Sequence, residues 1–347
     1  MAGCALTIVD VLVILVFYSP SGSMRRLRAF EFFVMALVLG VVVCFCIELS
    51  LIKDTSVGEV FKGYLPSSAI VKDQGLFLSS GILGATVMPH SLYLGSGVVQ
   101  SRLRDFDTTT GNLTSRDSIE FDDTPKYRPS IAAIRSCLSY SIVELAVSLF
   151  TFALFVNSAI LIVAGASLSS TPAAQNADLF SIHDLLSHTL APAAGTIFAL
   201  ALLLSGTSAG IVCTIAGQML SEGALNWTTA PWLRRLITRA VSITPSIIIA
   251  AAVGKGGLSK ALNGTQVALS VILPFVSAPL IYFTCRNKFM TVAFVDDGEG
   301  EDSEAHEREQ GIKMRNHWIT ATFAVLIWLV IAIMNVALLV TVGLGEA

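Results

Sequence analysis

The stretch Gly81-Ile-Leu-Gly-Ala-Thr-Val-Met-Pro-His90 lies within an apolar run, residues 75–101, that contains no Asp, Glu, Lys or Arg. The run is long enough to cross a bilayer, which takes about 20 helical residues. Pro89 has no N–H, and in a helix its ring clashes with the carbonyl four residues earlier, that of Ala85. We therefore predict a transmembrane helix over 75–101 that is interrupted near Ala85, with that carbonyl oxygen freed.

Polarisable side chains flank the predicted break. Met88 has a thioether and His90 an imidazole, and Gly84 and Pro89 are the residues that we assign to the helix break. Met88 by itself would be interpreted as filler in a lipid-facing or core position. His90 by itself is as compatible with a hydrogen-bonded core histidine as with a proton carrier. A freed carbonyl beside a soft sulfur at membrane depth is how a transporter forms an ion site, so the combination favours function.

The composition is that of a helical membrane protein. Hydrophobic residues make up 54% of the 347 residues and charged residues only 14%, whereas a soluble domain has about 25% charged residues. The sequence shows neither a nucleophile–base constellation nor a phosphate-binding loop, so we expect no enzyme, no cofactor and no nucleic-acid partner. The lipid bilayer is the partner that the composition itself requires.

Eight apolar stretches are candidates for membrane spans, although the first is short. They are residues 4–18, 30–50, 75–101, 132–166, 191–221, 236–254, 262–285 and 318–342. Of the 22 Lys and Arg residues, 17 lie in the odd-numbered loops, which the positive-inside rule assigns to the cytosol. Both chain ends would then lie outside, which we would expect if an odd number of spans preceded Met1.

Two of the cytosolic loops are predicted to be disordered. Residues 102–130 mix charged residues with Ser, Thr and Pro, and residues 296–312 contain eight acids. An acidic run of this kind is usually solvated, so we do not assign it to metal binding. Apart from these loops, residues 1–347 are interpreted as a single transmembrane domain.

Polar side chains inside the predicted spans are costly to bury and are therefore candidates for function. Besides His90, they are Asp10, Glu144, Asn157, Gln266 and Asn335. Asp10 and Glu144 are as compatible with hydrogen bonding to a neighbouring helix as with function, and Asn157 alone is typical of helix packing. We retain Glu144 and Asn157 as candidates for proton coupling or conformational change.

A second interrupted span is predicted over residues 263–280. Pro274 and Pro279 are each expected to free the carbonyl four residues earlier, and Gln266 lies upstream at membrane depth. The alternative is a proline-kinked helix in which Gln266 bonds to another helix. Two interrupted helices in one chain favour a transporter core.

These residues resemble the Nramp family of proton-coupled divalent-metal transporters, and most closely its fungal members. The resemblance is carried by Gly84-Ala-Thr-Val-Met-Pro-His-Ser-Leu-Tyr-Leu94, Leu204-Ser-Gly-Thr-Ser208, Ile215-Ala-Gly-Gln218, Arg234-Arg-Leu-Ile-Thr-Arg239 and Gln266-Val-Ala-Leu-Ser-Val-Ile-Leu-Pro-Phe-Val-Ser-Ala-Pro-Leu280. The Ala-x-x-Met-Pro-His run is highly specific, and the resemblance covers nearly the whole chain apart from the two charged loops. Aligned in this way, the eight spans are similar to the family's fourth to eleventh helices.

The resemblance implies an all-α integral membrane protein with an incomplete LeuT-like fold of inverted repeats. It implies metal ligation by the Ala85 carbonyl and the Met88 sulfur, with Gln266 as a further ligand. It assigns His90 to proton coupling or conformational change, and Arg235 and Arg239 are similar to the family's proton-exit or salt-bridge arginines. The function implied is proton-coupled transport of Mn²⁺ or Fe²⁺ toward the cytosol by alternating access. The membrane implied is the plasma membrane or an endosomal or vacuolar membrane.

The chain departs from the family at the metal site. The family's first helix supplies an aspartate and an asparagine from an Asp-Pro-Gly-Asn segment, and no Asp-Pro-Gly occurs in this sequence. Burying a divalent charge among neutral ligands alone is unfavourable, so we expect this chain by itself not to transport at family rates. Gly95 also stands where the family often has a second histidine.

Two alternatives to a transporter remain at the level of the sequence. One is a non-transporting sensor or partner subunit on the same scaffold. The other is a carrier of similar fold for amino acids, which would have no use for the Met88 thioether. A thioether favours Mn²⁺ or Fe²⁺ over Ca²⁺ or Mg²⁺, because hard cations gain little from exchanging water for sulfur. The sequence indicates no oligomeric state.

Overall fold

The computed structural model describes residues 24–53, 55–70, 74–111, 129–168, 177, 179–225, 231–252, 254–292 and 311–344. Its helices are α1 (Met24–Leu51), α2 (Val57–Gly63), α3 (Gly75–Thr86), α4 (Pro89–Thr110), α5 (Ile131–Ser148), α6 (Leu154–Leu168), α7 (Leu179–Thr189), α8 (Ala194–Leu225), α9 (Pro231–Ala252), α10 (Gly254–Thr284) and α11 (Trp318–Leu344). Two short strands, β1 (Thr291–Val292) and β2 (Ile312–Lys313), lie between α10 and α11. The predicted span 4–18, with Asp10, lies outside the described residues.

Six helical segments in the described part of the chain are long and apolar enough to cross a membrane. They are Arg28–Leu51, Gly75–Thr110, Ile131–Leu168, Ala194–Gly217, Ser259–Thr284 and Trp318–Leu344. They correspond to six of the eight predicted spans, and they expose many Leu, Ile, Val and Phe side chains, as lipid-facing helices do. The predicted span 236–254 is found as α9, which is not among the six.

The chain divides into two compact units, each made of two separate stretches of sequence. Unit 1 comprises Met1–Pro66 and Tyr93–Ala261. Unit 2 comprises Ser67–Leu92 and Leu262–Ala347. The predicted helix break and the Gln266 stretch therefore belong to the same unit, although about 180 residues of sequence separate them.

In unit 1, α1 is the central helix and packs against α6 and α8. Val41, Cys44 and Phe45 of α1 form a buried cluster with Ala159 of α6 and Ala201 of α8. Alanine at the contact lets helix backbones approach closely, which is how helices associate where lipid removes the hydrophobic driving force. A further apolar cluster lies where the end of α1 meets α6, α7 and α8.

In unit 2, α3 packs against α11 and approaches the backbone of α10. The strands pair antiparallel, with Thr291 opposite Lys313 and Val292 opposite Ile312. This pairing fixes where α10 ends and where the chain returns toward α11. Ile312 therefore belongs to a strand and not to the disordered loop predicted over 296–312.

The first predicted loop also begins later than expected. Helix α4 continues to Thr110, so residues 102–110 are helical and not disordered. Asp107 explains the difference: its side chain is buried and accepts hydrogen bonds from the N–H (2.9 Å) and hydroxyl (2.5 Å) of Ser130, the N-cap of α5. Residues 112–128 and 293–310 of the two loops lie outside the described residues.

Candidate metal-ion site

The predicted helix break is confirmed, a little later than the sequence placed it. Helix α3 ends at Thr86 and α4 begins at Pro89, so Val87 and Met88 are non-helical. Val87 has φ −107° and ψ 84°, and its N–H still donates to the Leu83 carbonyl at 2.9 Å. Pro89 takes the first position of α4, where a missing N–H costs least.

Ala85 lies in the last turn of α3. In a continuous helix its carbonyl would accept from the residue four positions later, which is Pro89 and has no N–H to donate. Because Pro89 cannot donate this bond, a released Ala85 carbonyl stays a prediction that the end of α3 at Thr86 is compatible with. Ala85 is exposed, so this edge of the break is accessible.

A close backbone contact joins α3 to α10 at Gly84. Gly84 is buried, and a Cβ atom added there would lie 1.9 Å from the carbonyl oxygen of Gln266 and 2.8 Å from the backbone nitrogen of Ser270. Only glycine allows this approach, because both obstructing atoms are backbone atoms that cannot rotate away. Gly84 therefore places the end of α3 directly against Gln266, the residue that the sequence paired with the break.

The side chains proposed as ligands differ in their surroundings. The Oε1 atom of Gln266 is buried and has no hydrogen-bond partner among the described residues. An amide oxygen buried without a partner costs about 1–3 kcal/mol, which a ligand could recover. Met88 and His90 are half-buried at the start of α4. Unit 2 thus brings Gly84 of α3 against the backbone of Gln266, one residue before Ala85 and next to the break.

The second predicted interruption is wrong. Helix α10 is continuous from Gly254 to Thr284 with Pro274 and Pro279 inside it. Polar side chains support the helix around these prolines. The Ser270 hydroxyl donates to Asn335 Oδ1 (3.1 Å), and the Trp328 indole donates to the Pro274 carbonyl (2.8 Å). The first bond joins two side chains and the second reaches the backbone at Pro274, and proline is tolerated in a membrane helix where neighbouring groups bond to the helix.

In unit 1, Glu144 is bonded to a neighbouring helix, one of the two alternatives the sequence left open. Two guanidinium nitrogens of Arg102 on α4 donate to the two carboxylate oxygens of Glu144 on α5, at 2.5 and 3.4 Å. Glu31 on α1 accepts from Arg102 at 3.5 Å, and the Tyr140 ring lies 5.8 Å from the guanidinium carbon. Arg102 thereby connects three helices, and its bidentate bond to Glu144 fixes their geometry.

The remaining candidates are dispersed. Asn157 lies in α6, just after a π-helical segment at Leu149–Ala153 that joins α5 to α6. Arg235 and Arg239 lie on α9, but their side chains are outside the described part of the structure. Among the described residues, no group of three or more His, Cys, Asp and Glu side chains could hold a metal ion. Roles in proton coupling for these three residues stay predictions.

One buried acid was missed by the sequence reasoning. Glu48, in the last turn of α1, is fully buried. The signal was present, because Glu48 is the only charged residue between Glu31 and Lys53. It was overlooked because it falls near the end of the predicted span 30–50, where acids commonly reach the headgroups.

Residues 1–295 match the family model for natural resistance-associated macrophage protein-like proteins, Nramp. The chain belongs to the Nramp family. This confirms the predicted family, and 295 matched residues include every ligand candidate on α3, α4 and α10. It also gives the all-α membrane fold that the composition predicted.

Named Nramp relatives are metal transporters and not enzymes. The chain is 47% identical over 384 residues to the manganese transporter SMF1 of Saccharomyces cerevisiae, across 99% of this chain and 67% of that protein. It is 53% identical over 293 residues to the iron transporter SMF3 of the same yeast, across 84% of this chain and 59% of that protein. A crystal structure of a mutant Eremococcus coleocola manganese transporter aligns with a TM-score of 0.68 and 25% identity, across 95% of this chain and 62% of that one. The chain thus spans about two thirds of the length of these relatives, or less.

Proposed function

We propose that unit 2 of this chain binds a divalent transition-metal ion, Mn²⁺ or Fe²⁺, as a transported substrate. The ligands would be the Ala85 carbonyl, the Met88 sulfur and the Gln266 side-chain oxygen. The observation that carries the proposal is the buried Gln266 Oε1, which has no hydrogen-bond partner in the described part of the chain and lies on the helix that Gly84 approaches from the end of α3. A buried acceptor beside a helix break is a site that a cation would stabilise.

The ligand chemistry supports a transition metal. Met88 contributes a thioether, which binds Mn²⁺ weakly and the later, softer transition metals more strongly. Ca²⁺ and Mg²⁺ gain little when a thioether replaces a water ligand. The two oxygens are neutral dipoles, so they add no counter-charge. The printed names of the fungal relatives, a manganese transporter and an iron transporter, fit the same substrate class.

We further propose that the metal moves toward the cytosol by alternating access, coupled to protons, in the plasma membrane or an endosomal or vacuolar membrane. His90 would take part because it lies one residue beyond Pro89, at the break itself. Arg235, Arg239, Glu144 and Asn157 are the further candidates for proton coupling or conformational change. The Arg102–Glu144 bond supports a conformational role for Glu144, because it depends on the relative position of α4 and α5, and Arg102 also contacts Glu31 on α1.

The direct test is Mn²⁺ binding by the purified chain in detergent, measured by isothermal titration calorimetry. Met88→Ala is expected to weaken Mn²⁺ binding about tenfold, or ~1.4 kcal/mol, by removing one ligand. Met35→Ala is the matched control, since Met35 is 46% exposed on α1 of unit 1. Ca²⁺ should compete poorly with Mn²⁺ in wild type. Equal Mn²⁺ affinity in wild type and Met88→Ala would contradict the proposed site.

Uptake of Mn²⁺ into transport-deficient yeast separates transport from binding. Met88-dependent uptake by this chain would establish transport and would contradict the expectation that it does not transport alone. Binding without uptake would favour the sensor or partner subunit.

A further inference from the structure

Glu48 is a buried acid that the metal site does not use. Its side chain has a relative exposure of 0%, and neither Oε1 nor Oε2 has a hydrogen-bond partner among the described residues. Both oxygens of a side chain that normally seeks water are therefore enclosed by the packing of unit 1. Such a group needs an explanation, because buried polar atoms are almost always paired.

The surroundings of Glu48 are apolar and uncharged. One turn before it on α1, Cys44 and Phe45 pack against Ala159 and Ala201 of α6 and α8. Helix α6 contains no ionisable side chain, and neither does α8 over residues 194–212. On α1 itself, the ionisable residues within four positions of Glu48 are Cys44, which is buried, and Cys46, which is exposed.

Helix α7 contributes ionisable groups at a distance from this packing. His183 and Asp184 pair with each other at 2.9 Å, with side chains 42% and 73% exposed, and His188 is exposed as well. Their apolar neighbours Leu185 and Leu186 form the contact with the end of α1. No cation among the described residues hydrogen-bonds to the Glu48 carboxylate.

Three features of this site disfavour a carboxylate charge. Glu48 is enclosed away from water, it has no hydrogen-bond donor beside it among the described residues, and it lies in the last turn of α1, where the helix dipole is negative. A neutral carboxylic acid avoids all three penalties. We propose that Glu48 is a proton-binding site in unit 1, separate from the metal ligands in unit 2.

The step is the reversible association of one proton with a Glu48 carboxylate oxygen, which forms one O–H bond and removes one negative charge. The reverse step needs water or a cation beside the new carboxylate, so it requires α1 to loosen from α6 and α8. Glu48 lies at the end of α1 that the charge bias assigns to the outside, so the proton would come from that side. A role for this proton in metal transport rests on the proposed function, but the bound proton itself does not.

Infrared spectroscopy of the purified full chain at neutral pH tests the bound proton. A protonated carboxyl gives a C=O stretching band that shifts in D₂O, and solvated acids are ionised and give none. The band is expected in wild type, lost in Glu48→Gln and kept in Glu31→Gln, the control on the same helix whose carboxylate contacts Arg102. Absence of the band in wild type, or equal band intensity in wild type and Glu48→Gln, would overturn the proposal, because Asp107 is also buried and could contribute only a band that both proteins share.

A second variant covers the case in which Glu48→Gln does not fold. Glu48→Asp keeps a carboxyl in the same packing, so the band should move in frequency and remain. An unshifted band would show that another acid produces it and would overturn the assignment.

A separate measurement addresses coupling. Glu48→Gln should bind Mn²⁺ with wild-type affinity by calorimetry, while any Mn²⁺ uptake should lose its dependence on external pH. If Met88→Ala leaves Mn²⁺ binding unchanged, the metal site fails while the Glu48 band stands. If the band is absent while Met88 controls binding, the proton site fails and the metal site stands.

Discussion

Helices α3 and α10 of unit 2 meet proline in opposite ways. Helix α3 stops at Thr86, three residues before Pro89. Helix α10, in contrast, continues through Pro274 and Pro279. Each proline removes one N–H and crowds one carbonyl. The outcome differs because of what surrounds each proline.

The surroundings of α10 supply polar groups from another helix. Trp328 and Asn335 of α11 bond to the Pro274 carbonyl and the Ser270 hydroxyl, and Ser277 adds a bond to the Leu273 carbonyl at 2.7 Å. At the α3 break, the contact with α10 is the backbone approach of Gly84, and the Thr86 hydroxyl donates within α3 to the Ile82 carbonyl at 2.7 Å. A proline in a membrane helix therefore marks a place where a break can form, and α10 shows that a helix can also continue through it.

The largest expected effect is that of Gly84→Ala. The new Cβ would lie 1.9 Å from the Gln266 carbonyl oxygen, so α3 must move away from α10. Overpacking of this kind costs about 3 kcal/mol, and Mn²⁺ binding should be lost. Thermal unfolding in detergent and calorimetry measure both.

Gly81→Ala is the control for that experiment. Its Cβ would meet Val267 Cγ2 at 3.6 Å, an ordinary contact, and alanine favours a helix by about 0.5–1 kcal/mol over glycine. Gly81→Ala should be neutral or slightly stabilising. Equal stability of the two variants would show that the approach at Gly84 does not hold α3 in place.

The second prediction replaces one proline of each kind with alanine. Pro89→Ala restores an N–H that can bond to the Ala85 carbonyl, so the break should close and Mn²⁺ binding should weaken about tenfold, or ~1.4 kcal/mol. Hydrogen–deuterium exchange should slow over residues 85–92. Pro274→Ala should change Mn²⁺ affinity less than about twofold, because α10 is already continuous. A larger loss of Mn²⁺ affinity in Pro274→Ala than in Pro89→Ala would contradict the different roles given to the two prolines.

The smallest expected effect is that of Trp328→Phe. It removes the indole donor to the Pro274 carbonyl and keeps an aromatic ring, which should cost about 0.6–1 kcal/mol of unfolding free energy. Trp318→Phe is the control on the same helix, because Trp318 is 70% exposed. Equal unfolding midpoints for both variants would mean that this bond does not support α10.

The break could be predicted from the sequence because its cause is local. Pro89 and the carbonyl it deprives lie four residues apart, and the exact end differs only because the Val87 N–H still bonds to Leu83. The continuity of α10 could not be predicted in the same way. Its supporting bonds join Trp328 to Pro274 and Asn335 to Ser270 across 54 and 65 residues of sequence.

The contrast between local causes and contacts between distant residues also explains two features of unit 1 that the sequence did not predict. Arg102 was placed in a loop by its charge, and its partner Glu144 lies 42 residues away, so no local pattern could pair them. Glu48 shows the opposite problem. The residue is conspicuous in an apolar stretch, but its burial depends on α6 and α8, which lie far along the chain. The part of the metal site that a sequence reveals is therefore the part made within one helix.

The π-helical segment at Leu149–Ala153 has a consequence for insertions and deletions. A π-turn holds one residue more than the α-helix around it, and each residue turns an α-helix by about 100°. Deleting one residue elsewhere between Glu144 and Asn157 would swing Asn157 around the helix relative to Glu144. Deleting one within Leu149–Ala153 would convert that turn to α-helix and leave both side chains on their present faces.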